Sequence, residues 1–181
     1  MPRINPVNTA AIDADTKATL DAVKAKIGMV PNLFATFAQA PAVLNGNLAF
    51  ADALGKGVLT AAQREIVSLA VAQYNSCHYC LSAHTLLGKG AGLSREAILA
   101  ARQGKGQNTI DNAIATLALR IVETRGQVSD ADLSEARLAG LDDARIVEIV
   151  GNVAHNVLTN FMNNVAQTAI DFPVVDVAIA A

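Results

Sequence analysis

The sequence predicts an all-helical fold, and three observations carry that prediction. Apolar residues recur at helical spacing almost throughout, and no stretch sustains the strict alternation of a half-buried strand. Residues that start and stop helices punctuate the chain at helix-length intervals. The gaps between periodic segments are short, which favours one packed bundle.

Nine helices are expected in order. The first, 13–27, stops at Gly28. The second, 31–39, opens on Pro31 and the third, 41–55, on Pro41, where a missing N–H does little harm in a first turn. Thr60 with Gln63 forms a capping box at the head of 60–74. The fifth helix, 76–89, is expected to be capped by Ser76. Ser94 opens 94–103, Gly126 closes 109–125, and Ser129 and Gly140 bracket 130–139. Asp142 opens the longest helix, 143–169. The whole chain, 1–181, reads as a single domain: N-terminal helices to 58, a motif-bearing core over 59–128, C-terminal helices over 129–170, and an apolar tail over 171–181. That tail is expected either to fray or to pack on a neighbouring subunit.

Composition narrows the function classes. Hydrophobic residues make up 52% of the 181 positions and charged residues 17%. Mean hydropathy is +0.32, so some apolar surface is expected to be buried between subunits. The most apolar region, 146–169, is interrupted by Glu148, Asn152, His155, Asn156, Asn160, Asn163, Asn164 and Gln167, which is too polar for lipid. No membrane association is expected. The opening Met-Pro-Arg-Ile-Asn-Pro lacks an apolar signal core, and a cytoplasmic location is expected. Net charge is −2 and no Lys/Arg stripe forms, which leaves nucleic acid without an electrostatic footprint.

Both cysteines fall in one short motif, Glu65-x11-Cys77-His78-Tyr79-Cys80-x3-His84. A thiol pair with an acid and an imidazole in reach suits redox chemistry or metal binding. Thiols three residues apart on a helix have Cα atoms about 5 Å apart, inside the span of a disulfide. A loop that short removes only about 2 kcal/mol of unfolded-chain entropy, so the bridge is a poor staple and a good switch. Cys77 is nearer the positive end of the helix dipole, but Cys80 is one turn from His84, a base in direct reach. A specific base outweighs a diffuse field, and Cys80 is the favoured nucleophile with Cys77 resolving. Glu65 lies on the preceding helix among Ala61, Ala62, Ser68, Leu69 and Ala72, a small apolar face that favours its burial and a raised carboxyl pKa.

This motif resembles that of the alkylhydroperoxidase D (AhpD) branch of the carboxymuconolactone decarboxylase superfamily. Gly28-Met29-Val30-Pro31-Asn32-Leu33-Phe34, Leu158-Thr159-Asn160-Phe161-Met162-Asn163-Asn164 and Ile170-Asp171-Phe172-Pro173 are similar to segments of its peroxidase-related subgroup. The resemblance implies an all-helical fold in homotrimers or homohexamers, and thiol-dependent hydroperoxidase activity without a cofactor. It implies that Cys80 attacks the hydroperoxide, Cys77 condenses with it to a disulfide, and Glu65 and His84 relay protons. It also implies reduction by a dithiol carrier of the dihydrolipoamide type. Tyr79 stands where the best-known members carry a histidine.

Tyr79 and His155 are secondary site candidates, each expected mainly to pack. His78 is expected on a solvated or interface surface, and the amides of Asn160, Asn163 and Asn164 to bond across an oligomer interface. Glu65-Ile66-Val67 reappears as Glu148-Ile149-Val150, a weak echo that sets Asn160, Asn163 and Gln167 opposite Cys77, Cys80 and His84. Two other chemistries fit the motif: a metal site built from both cysteines, His84 and Glu65, or a lyase of the decarboxylase type with Glu65 and His84 as acid and base.

Overall fold

The computed structural model describes residues 1–179, and among these the chain forms nine α-helices and no strand. They are α1 (Ala14–Ile27), α2 (Asn32–Phe37), α3 (Pro41–Leu54), α4 (Ala61–Tyr74), α5 (His78–Gly90), α6 (Arg95–Arg102), α7 (Thr109–Thr124), α8 (Asp130–Leu138) and α9 (Asp143–Ala166). Six of the nine begin with a capping side chain other than cysteine, including capping boxes at Thr60 and Ser129. Asp13 and Asn108 cap α1 and α7, two starts that the spacing of apolar residues leaves unmarked.

The bundle is organised around α4. Ile66 to Ala72 is buried without interruption, so this helix is enclosed on every side. It packs against α5, α6, α7 and α9, and α7 adds Ile114, Leu117, Ala118 and Ile121 to the shared core. Core residues run from Leu20 in α1 to Val153 in α9. The chain before α1 is tied down by backbone: Arg3 N–H donates to Ala166 O at 2.7 Å and Val7 N–H to Ala35 O at 2.9 Å.

Two expectations need correction. Ser76 does not cap α5; it sits at φ 51°, in the left-handed region, and Cys77 is the capping residue. The reason is the tight reversal between α4 and α5, in which Cys77 N–H bonds back to Ala72 O at 2.9 Å. Cys77 therefore lies at the mouth of the helix rather than on its face. The tail is not frayed but bonds to its own chain as far as Val177; Ala180 and Ala181 fall outside the described residues. Arg102 Nη2 donates to the carbonyls of Asp176 (2.7 Å) and Val177 (3.0 Å), and Gln73 Nε2 to Val177 O at 3.0 Å. Val175 N–H donates to Ser82 Oγ at 3.0 Å, and Asp171 Oδ2 accepts from Asn32 N–H at 2.6 Å.

The tripeptide echo is not a structural repeat. The first copy precedes a break between helices at 75–77, whereas α9 runs unbroken through the matching positions.

Candidate redox site

The α4–α5 reversal builds the site. It folds α5 back along α4, so that Glu65 and His84, 19 positions apart, meet with His84 Nδ1–H donating to Glu65 Oε2 at 2.7 Å. Gly88 lies beside this pair, where a Cβ would make ordinary contact with the Glu65 Cβ at 3.8 Å and crowd Leu93 at 3.3 Å. Glu65 and His84 are only partly enclosed, with side chains 17% and 20% exposed. Since Nδ1 is engaged by the carboxylate, Nε2 is the nitrogen left to exchange a proton.

Cys77 and Cys80 form a disulfide, with Cα atoms 5.3 Å apart. Cys77 Sγ also accepts the N–H of Cys80 at 3.2 Å, the bond an N-cap side chain makes in the first turn. Cys77 is fully buried and Cys80 is 3% exposed. The two sulfurs are not equivalent. Cys80 lines a cavity of about 430 Å3 and Cys77 does not.

That cavity has apolar walls, among them Met29, Leu33, Phe34, Leu87 and Phe172, and a polar set of Asn47, Tyr79, Cys80, His84, His155, Thr159, Asn163 and Asp171. A mostly apolar enclosure with a few convergent polar groups is the usual form of a small-molecule site. Glu65 stands behind His84 and is not part of the wall. The order outward is thus carboxylate, imidazole, cavity.

The secondary candidates fall on the same cavity. His155 on α9 donates Nε2–H to Asn47 Oδ1 at 3.0 Å and meets the Phe50 ring edge-on, centroids 5.7 Å apart. Burial, reinforced by the nearby His84, lowers its pKa, which favours neutral imidazole. Tyr79 serves as a peg. Its hydroxyl accepts from Leu33 N–H at 3.3 Å, and its ring packs edge-on against Phe172 at 5.5 Å. Burial pushes its phenol far above the ordinary range, and the Asp171 carboxylate adds to the rise, so it offers no base at neutral pH. His78 is exposed and lines a separate cleft of about 320 Å3 with Asn164 and Gln167.

The α9 amides find partners within the chain. Asn160 Oδ1 accepts from Asn75 Nδ2 at 3.0 Å, and Asn164 Nδ2 donates to Asn75 O at 2.8 Å. Asn163 Nδ2 donates to Cys80 Sγ at 3.3 Å. Among the described residues no group of three or more His, Cys, Asp or Glu side chains is arranged to hold a metal ion. No helix among them is long and apolar enough to cross a membrane.

Comparison with known proteins finds a similar segment and a similar fold. Residues 41–106 match the carboxymuconolactone decarboxylase family, a segment that contains Glu65, both cysteines and His84. No curated protein sequence matches the chain. The structure is similar to the alkylhydroperoxidase AhpD core of an uncharacterized peroxidase-related protein from Ralstonia eutropha JMP134, with a TM-score of 0.85 and 26% identity over 94% of this chain and 92% of that one. A peroxidase-related protein from Silicibacter sp. TM1040 shares the fold at a TM-score of 0.79 and 19% identity, covering 92% of each chain. The debrominase Bmp8, solved with 2,3,4-tribromopyrrole, shares it at 0.77 and 14% identity over 93% of this chain and 91% of that one. The motif segment is thus similar to the carboxymuconolactone decarboxylase family, and nearly the whole chain shares the fold of the AhpD core.

Proposed function

We propose that the protein is a thiol-dependent hydroperoxidase, a disulfide oxidoreductase in which Cys80 attacks and Cys77 resolves. One observation carries the reading: of two sulfurs close enough to bond, only Cys80 faces the cavity, beside an imidazole backed by a carboxylate.

In the first step the Cys80 thiolate attacks one oxygen of the hydroperoxide, forming an S–O bond as the O–O bond breaks. His84 delivers a proton to the departing alkoxide, giving an alcohol and Cys80 sulfenic acid. The Cys77 thiol then attacks the Cys80 sulfur, the S–O bond breaks, and water leaves with the Cys77 proton. A small dithiol, of the dihydrolipoamide type, reduces the bridge by exchange at Cys80, the sulfur it can reach. The sum is one hydroperoxide and one dithiol converted to alcohol, water and disulfide. Glu65 keeps His84 oriented and supports its charge through the proton relay. The apolar wall favours an organic hydroperoxide over a strongly hydrated one.

The protein also self-associates in this reading, as a trimer or hexamer. Val147, Val150, Leu158, Phe161 and Val165 form a stripe along α9, each at least 40% exposed, that a second copy would cover.

The test is mass spectrometry of the reduced native protein before and after one equivalent of an alkyl hydroperoxide. The peptide bearing Cys77 and Cys80 should lose two hydrogens, and Cys80→Ser should abolish dithiol-dependent peroxide consumption. Full turnover by Cys80→Ser would sink the assignment of the attacking sulfur, and an unchanged wild-type peptide would sink the activity.

A further inference from the structure

Asn163 is a buried amide used on only one side. It is 3% exposed and lines the cavity, two turns beyond His155 on α9. Its Nδ2–H is aimed at Cys80 Sγ, while its Oδ1 is buried with no donor. A buried carbonyl without a partner is uncommon in a native fold and calls for an explanation. Packing does not supply one, because leucine of similar volume would fill the site without burying a polar atom.

The explanation lies in the other redox states of its neighbour. In the bridged form, the Cys80 sulfur is a weak acceptor, and the amide has little to gain from it. Once Cys80 is a thiolate the same N–H meets a full negative charge, and charge-assisted bonds are about twice as strong as neutral ones. Once Cys80 is a sulfenic acid, a new O–H donor appears beside an amide whose oxygen is unfilled.

We propose that Asn163 is a catalytic residue: its N–H stabilises the Cys80 thiolate before attack, and its Oδ1 receives the O–H of the Cys80 sulfenic acid formed by it. The two ends of one amide thereby follow a single oxygen-transfer event. In that event the peroxide O–O bond breaks, the sulfur is oxidised by two electrons, and the transferred oxygen keeps its hydrogen, which it shares with Oδ1 in a hydrogen bond. The place of Asn163 in the cycle rests on the hydroperoxidase reading, whereas its contact with Cys80 is independent of it.

Other ionisable groups share the surroundings of Cys80: Cys77, Tyr79 and His84 from α5 and its cap, Glu65 from α4, His155 from α9, and Asp171 from the tail. Helices α2 and α3 contribute Asn47 and apolar side chains to the cavity but no ionisable group. His84 and the α5 dipole also favour the thiolate, so Asn163 accounts for a part of any depression, and only its removal isolates that part.

The experiment uses the reduced full-length protein and follows iodoacetamide alkylation of each cysteine against pH by mass spectrometry. Asn163→Leu and Asn163→Ala are compared with wild type, and circular dichroism confirms that each is folded. The Cys80 inflection should rise by about one pH unit or more, the worth of a lost hydrogen bond to a charged sulfur. In a Cys77→Ser background, trapping with dimedone after one equivalent of alkyl hydroperoxide should show a shorter-lived sulfenic acid when Asn163 is replaced. An unchanged Cys80 inflection overturns the proposal. A lowered inflection overturns it too, since it would mean that the carbonyl faces the sulfur. Should both variants fail to fold, the wild-type protein decides: the Asn163 side-chain N–H resonances should titrate with the Cys80 thiol, and resonances that ignore that titration refute the bond. Failure of the activity itself reads differently. A wild type that leaves hydroperoxide intact yet shows the shifted variant inflection removes the hydroperoxidase reading and keeps the Asn163–Cys80 contact.

Discussion

Glu-Ile-Val occurs twice in this chain, at 65–67 in α4 and at 148–150 in α9, and the two copies have opposite fates. In α4 the carboxylate turns to an imidazole beside a cavity, and Ile66 and Val67 are both buried. In α9 the carboxylate turns to the α3–α4 loop, where Glu148 accepts the N–H groups of Val58 (2.5 Å) and Leu59 (3.0 Å), and Val150 is 47% exposed. The difference arises downstream of each copy. Beyond Glu65 the helix soon ends in a reversal that returns His84 to the carboxylate. Beyond Glu148 the helix continues, so nothing comes back to meet that acid except a loop that needs its orphan donors satisfied. A short motif acquires chemistry from the element that packs against it, not from its own letters.

Exchanging each acid for its amide is the most severe way to try that contrast. Glu65→Gln should cut hydroperoxide turnover about a hundredfold, the lower range for a lost acid–base relay, with little change in unfolding midpoint. Glu148→Gln should leave turnover per folded molecule intact and lower stability by about 1 kcal/mol, since a charged acceptor of two backbone donors becomes neutral. Steady-state kinetics and thermal melts on both variants decide it, and a Glu148 variant as inactive as the Glu65 variant would erase the distinction.

The next test concerns the outer faces of the same two helices. Because α4 is enclosed and α9 carries an open apolar stripe, Phe161→Asp should weaken self-association by roughly tenfold or more, judged from the burial value of one Phe side chain. Analytical ultracentrifugation at several concentrations reads this directly; a wild type that stays monomeric throughout would rule the stripe out as a subunit contact.

The smallest effect is electrostatic. The His155 pKa is depressed in the folded protein by burial and then by His84. Above about pH 6.5 both folded and unfolded imidazoles are neutral and the group contributes no pH dependence. As pH falls through that value the unfolded chain takes up a proton that the folded one refuses, so stability declines until the folded pKa is reached. His155→Gln should flatten the slope of melting temperature against pH in this acidic range. An unaltered slope would show that His155 is protonated alike in both states.

These contrasts also mark where the sequence is legible. The nine helices can be read because apolar periodicity and capping side chains are local properties, and the CxxC-to-His84 register comes from helix geometry alone. Ser76 misleads because serine is an ordinary cap, whereas the demand that overrides it, a left-handed residue at a tight reversal, arises only when α5 must lie along α4. The amides of α9 are conspicuous, but their partners lie 83 to 89 positions away, and composition alone points outward to a neighbour. Asn47 gives no signal at all: its partner His155 is 108 positions distant, and a single asparagine in a helix is unremarkable until something packs against it. Asp171 and Phe172 look like loose ends because nothing in the tail's sequence names Arg102, Gln73 or Asn32 as its anchors.

The way the tail is fastened has a bearing on how this architecture can diversify. Arg102 and Gln73 grip main-chain carbonyls, which every amino acid offers, so the route of the final segment is indifferent to most of its spelling. Phe172 and Pro173, by contrast, project their identity straight into the chamber beside Cys80. Substitutions there can widen, narrow or reshape the space offered to a guest molecule while the mooring holds, which makes the last stretch of the chain a dial for selectivity attached to a scaffold that need not move.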